Sequence, residues 1–166
     1  SMATEKTAKN WICEVGALAA SVGLALLVSS LSGFVVRPAV ETWYQEITRP
    51  IFSPPDWVFT PVWITLYVLM AVAAWRVWRQ GDFKTAPLPL LTYGLQLTLN
   101  LAWPFIFFGN KAFGWAFIEI IILWVAIVAT TRLFWAVCRL AGALFIPYLA
   151  WVSFAVLLNG AIWWLN

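Results

Sequence analysis

Thirteen of the 166 residues are tryptophan, and Trp63, Trp103, Trp115, Trp124 and Trp151 stand deep inside long apolar stretches. A deep indole must place its N–H on an acceptor or in a cavity. Helical spacing gathers these residues into stripes. Trp63 pairs with Tyr67. Gln96, Asn100, Trp103 and Phe107 follow one another on one face. Trp115 pairs with Glu119, and Tyr148, Trp151 and Ala155 share a face with Asn159 close by. Residues three and four apart lie on the same side of a helix. Any one stripe reads equally well as helix packing, with polar side chains joining helices. Four stripes of the same character favour an aromatic-lined pocket with a few polar groups, the usual form of a small-molecule site.

The chemistry of such a pocket is recognition more than acid–base catalysis. The chain has no histidine, which removes the usual general base, the commonest metal ligand and the usual haem axial ligand. No Ser/His/Asp set, phosphate-cradling glycine loop or metal-ligand cluster is present, so no metal site is expected. The two cysteines, Cys13 and Cys138, form no CxxC pair and imply no disulfide framework. Glu119 is the one acid well inside an apolar run. An intramembrane carboxyl suggests function, although a neutral or interfacial glutamate fits as well.

The elements that position these residues follow from composition. The chain is 63% hydrophobic and 10% charged, with mean hydropathy +0.86. A soluble domain carries about 25% charged residues and could not hide this much apolar surface. A bilayer can, and a spanning helix needs about 20 apolar residues. Charge-free runs and their Pro, Gly and charged boundaries predict five transmembrane helices at 11–36, 57–80, 88–109, 112–137 and 140–165. The fold class is therefore an all-α membrane bundle, a single domain over 11–166. Residues 1–10 read as an N-terminal tail, and the opening Ser-Met as an expression remnant. Pro104 and Pro147 should free the carbonyls of Asn100 and Ala143 and kink their helices.

The segment 37–56 holds four prolines, both signs of charge and several aromatics, and predicts a folded loop with at most a short helix. It reads either as an interfacial connector or as a lid over a cavity. Lys6, Lys9, Arg76, Arg79, Lys84, Arg132 and Arg139 fall at one end of the bundle. Arg37, Arg49 and Lys111 fall at the other. The positive-inside rule then places the N-terminus in the cytoplasm and the C-terminus outside. The net charge of +3 is spread over short loops, without a basic stripe for nucleic acid. Gly16/Ala20 and Ala19/Gly23 give the first helix small-xxx-small spacing, which suits a homodimer.

Three segments carry a further signal: WYQEITRPIFSPPDWVFTPVWITLY at 43–67, LNLAWPFIFFG at 99–109 and PYLAWVSFAVLLN at 147–159. Each resembles an ordered motif block of the TspO/MBR family, which includes bacterial tryptophan-rich sensory proteins and the mitochondrial translocator protein, or peripheral-type benzodiazepine receptor. The resemblance implies a five-helix bundle, often a homodimer, with a pocket beneath the long first loop. It implies no required cofactor. The ligands it implies are porphyrins such as protoporphyrin IX or haem, and benzodiazepine-site compounds. By motif position the pocket residues are Trp43, Tyr44, Phe59, Trp63, Tyr67, Asn100, Trp103, Phe107, Trp115, Trp151, Ala155 and Leu158. Three roles are consistent with it: a stress sensor or tetrapyrrole-handling protein, an enzyme degrading protoporphyrin IX in light through Trp63 and Trp151, or a transporter of porphyrin or lipid-like cargo. The sterol-recognition pattern that ends the fifth helix of animal members is absent, because Gly160 replaces its tyrosine and no basic residue follows. Val40, Tyr44 and Arg49 fit that loose pattern only within a loop. High-affinity cholesterol binding is therefore not expected, and the bacterial cytoplasmic membrane is the expected location.

Overall fold

The computed structural model describes residues 1–85 and 87–166, apart from the side chains of Lys9 and residues 81–85. Five helices follow in order: α1 (Met2–Glu41), α2 (Asp56–Thr85), α3 (Pro87–Pro104), α4 (Phe113–Val137) and α5 (Arg139–Leu165). All five contain a stretch long and apolar enough to cross a bilayer. In lipid each backbone polar group must be satisfied within the chain, and a helix does this locally. The five expected spans are therefore present, with corrections at their ends.

The largest correction concerns α1. It begins at Met2, so residues 2–10, expected as a tail, continue the helix. It also passes through Pro38 to Glu41, which takes 37–41 out of the expected loop. Proline removes one helical bond, and near a helix end few bonds remain to be lost. Thr42 compensates there, its hydroxyl donating to the Pro38 carbonyl at 2.7 Å and its backbone N–H to the Ala39 carbonyl at 3.2 Å. At about 1.5 Å per residue the 40 residues of α1 span about 60 Å, roughly twice a hydrocarbon core.

Pro104 has no N–H to donate to the Asn100 carbonyl, and the consequence takes a specific form. The helix widens into a π-helical segment over Phe105–Gly109 instead of simply kinking. Its end is fastened by Asn110 Nδ2 on the Phe105 carbonyl at 3.1 Å. The Ala112 N–H also bonds to the Ile106 carbonyl at 3.1 Å. Lys111 takes a left-handed conformation, φ 52°, to turn the chain into α4.

Lipid tails are as apolar as leucine, so close packing and internal hydrogen bonds hold the bundle, with little hydrophobic drive between helices. Its core is Met70, Val77, Ile127, Phe134, Phe145 and Tyr148, all fully buried. Helices α4 and α5 are joined through Cys138 alone, and Gly142 lets them approach: a Cβ there would lie 2.7 Å from the Trp135 Cα. Helix α1 lies along α2, where Ser21 Oγ donates to the Ala71 carbonyl at 2.8 Å. Gly16 and Gly23 meet nothing within 4 Å, so the small-residue side of α1 has no packed neighbour at those positions.

Candidate functional site

Between α1 and α2 the chain makes a short 3₁₀ turn, Trp43–Gln45, and then an irregular run to Pro55. Prolines at 50, 54 and 55 deny this segment regular structure, so side chains must hold it. Arg49 Nη1 lies 3.1 Å from Asp56 Oδ1, and its guanidinium carbon lies 4.8 Å from the centre of the Tyr44 ring. Gln45 Nε2 donates both to the second Asp56 oxygen and to the Val40 carbonyl. Asn166, after the end of α5, clasps the segment: its Oδ1 accepts from the Thr48 N–H at 3.1 Å, and its Nδ2 donates to the Thr48 carbonyl at 2.8 Å. The loop is folded and fastened at two points.

Beneath it lies a continuous aromatic layer. Trp43 packs against Tyr44, Phe107, Phe108 and Phe113, with ring centres 5.8–6.4 Å apart. Trp103 and Phe107, adjacent turns across the π segment, stack at 4.9 Å and 24°. Trp103 belongs both to this layer and to the main core below it. Its indole N–H donates to Asn159 Oδ1 at 2.9 Å, and Asn159 Nδ2 donates to the Phe113 carbonyl at 3.0 Å. The deep indole thus has the acceptor it requires, and one asparagine ties α3, α4 and α5 together.

Deeper still, a chain of buried polar groups crosses three helices. Tyr67 Oη donates to Asn100 Oδ1 at 2.5 Å, and Asn100 Nδ2 donates to Tyr148 Oη at 2.8 Å. Tyr148 Oη in turn donates to Gln96 Oε1 at 2.8 Å. Trp63 caps this chain, its ring 5.7 Å from Tyr67 and 6.4 Å from Tyr148. Trp151 stands beside it, half-buried, with Phe59 at 6.0 Å and Phe154 at 5.7 Å.

The structure brings together Trp43, Tyr44, Phe59, Phe107 and Leu158 in the upper layer, and Trp63, Tyr67, Trp151 and Ala155 in the core. Trp103 bridges them and Asn100 lies in the polar chain. Trp115 is the exception: its side chain is 73% exposed and belongs to neither cluster. The inward stripe of α4 is Ala116, Ile120, Leu123, Ile127, Thr130 and Phe134, and Trp115 lies off it. Glu119, its expected companion, is half-buried with both carboxylate oxygens lacking a hydrogen-bond partner. Spacing alone left Phe108, Phe113 and the Arg49–Asp56 pair undetected as site residues. The rings of the aromatic interior pack against one another. The open cleft of about 480 Å³ lies in the loop, walled by Arg49, Pro50, Ser53, Pro54, Pro55 and Asp56. It lacks the apolar walls of a small-molecule pocket.

The profile of the TspO/MBR family matches residues 21–165, which carry the loop, the layer and the polar chain alike. The chain belongs to the TspO/MBR family. Among TspO/MBR relatives, the human translocator protein is 42% identical over 123 residues, 73% of each chain. The tryptophan-rich protein TspO of Chlorobaculum tepidum is 36% identical over 154 residues, covering 90% of this chain and 95% of its own. Protein CrtK of Rhodobacter capsulatus is 35% identical over 144 residues, covering 86% of this chain and 89% of its own. One local feature of this TspO/MBR chain bears on the missing tyrosine of α5. A Cβ at Gly160 would come within 2.9 Å of the Phe117 ring, so a larger side chain there requires Phe117 to move.

Proposed function

We propose that this membrane protein binds a flat, largely apolar ligand of the porphyrin type, protoporphyrin IX or haem, between the aromatic layer and the fastened loop. The observation that carries this is the run of rings Trp43, Phe107 and Trp103 in the upper layer, with Trp63 and Trp151 packed against the core that Trp103 also joins. Stacked rings are the natural wall for a planar macrocycle. Arg49, at the rim, has the charge to meet an acidic substituent of such a ligand. The loop is fastened over the layer, so entry requires the loop to lift and the layer to part. Porphyrin should therefore quench tryptophan fluorescence saturably, with a dissociation constant in the micromolar range, about −8 kcal/mol. Quenching that rises linearly and is unaffected by a competing benzodiazepine-site compound would mean partition into the detergent and not a site.

A second reading, light-driven oxidation of the bound porphyrin with dioxygen as the oxidant, is favoured by the contact of Trp63 with two tyrosines, Tyr67 and Tyr148. An easily oxidised indole beside phenols suits electron transfer where no acid–base set exists. Formation of product in the light, and not in the dark, distinguishes it from binding alone.

A further inference from the structure

The opposite end of the bundle holds a second cavity, about 210 Å³, between α1 and α2 and lined by Glu14, Arg76, Arg79 and Gln80. Arg79 Nε lies 3.3 Å from Glu14 Oε1, and its guanidinium carbon lies 4.7 Å from the centre of the Trp75 ring. The Trp75 N–H donates to the Glu14 backbone carbonyl at 2.9 Å, which fixes this wall. Arg76 is different. Its Nε is buried and has no hydrogen-bond partner. The N–H of Ala141, and after it the Arg76 guanidinium, hold the Cys138 thiol below the ordinary thiol range, so the Arg76 guanidinium lies against Cys138.

Among the described side chains, two guanidinium groups thus line the cavity with one carboxylate, and the buried Arg76 Nε is left without an acceptor. Such a donor is costly unless something accepts from it. Arg132 and Arg139, both exposed, stand near the same end and add to the positive field. Arg76, Arg79 and Gln80 follow directly on the charge-free run 57–75 of α2, which places the cavity at headgroup depth. Planar forks of donors match the oxygens of a phosphate, and the Gln80 amide supplies a further donor. We propose that Arg76, Arg79 and Gln80 form a phosphate-binding site at this end of the bundle. Glu14 occupies part of it and competes for Arg79 when the site is empty. The site is separate from the ring-lined interior and stands whether or not porphyrin binds there.

The phosphate could belong to an anionic phospholipid or to a soluble phosphate ester, and one experiment separates them. The full chain is reconstituted in nanodiscs of phosphatidylcholine containing phosphatidylglycerol, and lipid retained after release is counted by native mass spectrometry. One phosphatidylglycerol should remain in preference to phosphatidylcholine. Arg79→Gln and Arg76→Gln should each lower that retention about tenfold, the effect of losing one charge-assisted hydrogen bond. Arg37→Gln, an exposed residue at the opposite end, should leave it unchanged. Glu14→Gln should raise it, the opposite of what loss of a merely structural ion pair would give. Displacement by glycerol phosphate at matched concentration assigns the site to soluble phosphates, and resistance assigns it to lipid. Either result supports a phosphate site. Equal retention of both lipids by the parent chain, or parent-like retention by Arg79→Gln together with no gain in Glu14→Gln, overturns it. Those last two variants alter side chains more than a third exposed, so they decide the matter even if Arg76→Gln fails to fold.

Discussion

Each end of the bundle holds an arginine between an aromatic face and a carboxylate, in almost the same geometry. Arg49 lies 3.1 Å from Asp56 and 4.8 Å from Tyr44. Arg79 lies 3.3 Å from Glu14 and 4.7 Å from Trp75. Their surroundings differ. At the loop end Gln45 takes the second carboxylate oxygen, and a layer of rings lies beneath. At the basic end Arg76 sits beside the pair with an unused donor. The same unit is closed in one place, where it fastens a cover, and open in the other, where it awaits an anion. Which role it plays is decided by the charge count around it, not by the pair itself.

The sharpest contrast between the ends is backbone proximity. Gly142→Ala, at the basic end, would drive a methyl into the backbone of Trp135, and overpacking of this kind costs about 1–3 kcal/mol. At the loop end a methyl at Gly109 would meet only Val35 Cγ1 at 3.5 Å. Thermal unfolding in detergent should show a clear loss for the first and almost none for the second. Equal losses would mean that the two ends are packed alike. Between the ends, Asn100→Leu removes the link from Tyr67 to Tyr148. It should cost about 0.6–1.7 kcal/mol, the range for hydrogen bonds within membranes. No loss would mean that the polar chain is ornamental to stability.

The five spans were legible because each lies in a long apolar run, free of charge in four cases and interrupted by Glu119 in the other, that ends at charge, proline or glycine. The long loop was legible from its prolines, and most residues of the aromatic layer and the polar chain lie in the three motif blocks. Trp115 was misplaced for a physical reason. Helix α4 is apolar nearly all round, so its sequence has no polar face to show which side turns inward. The pair Trp115 and Glu119 formed a plausible stripe, but the packed one runs through Ala116 and Ile120. The Arg49–Asp56 pair spans an irregular loop, and no helical or strand period signals such a contact. The π segment after Pro104 was visible only as a lost hydrogen bond, since sequence does not say whether a helix kinks or widens.

Smaller effects test the loop end as a binding site. Trp63→Phe and Trp151→Phe keep an aromatic wall but lose the indole, and each should weaken porphyrin binding by about 1 kcal/mol. Trp164→Phe is the control, because that side chain is 89% exposed. If the protein oxidises porphyrin in light, the first two should also lose product formation while still binding. Variants indistinguishable from the control in both assays would remove Trp63 and Trp151 from the site. Smallest of all, Arg49→Gln breaks a partly exposed pair, whose loss costs at most about 1 kcal/mol. Its stability should hardly change, while porphyrin release, followed by recovery of fluorescence, should quicken. An unchanged rate would mean that the loop does not gate the site.

The chain of hydrogen bonds through Tyr67, Asn100, Tyr148 and Gln96 sets how the molecule resists force. It rivets α2, α3 and α5 at one depth, and Asn159 adds a rivet from α5 to α3 and α4. These four helices make a block that shears only by breaking several bonds together. Helix α1 lies closely along α2 but is tied to that block by few side-chain hydrogen bonds, among them Ser21 on the Ala71 carbonyl and Trp75 on the Glu14 carbonyl. Under tension it is the stave that leaves the barrel first, and the block behind it stays whole.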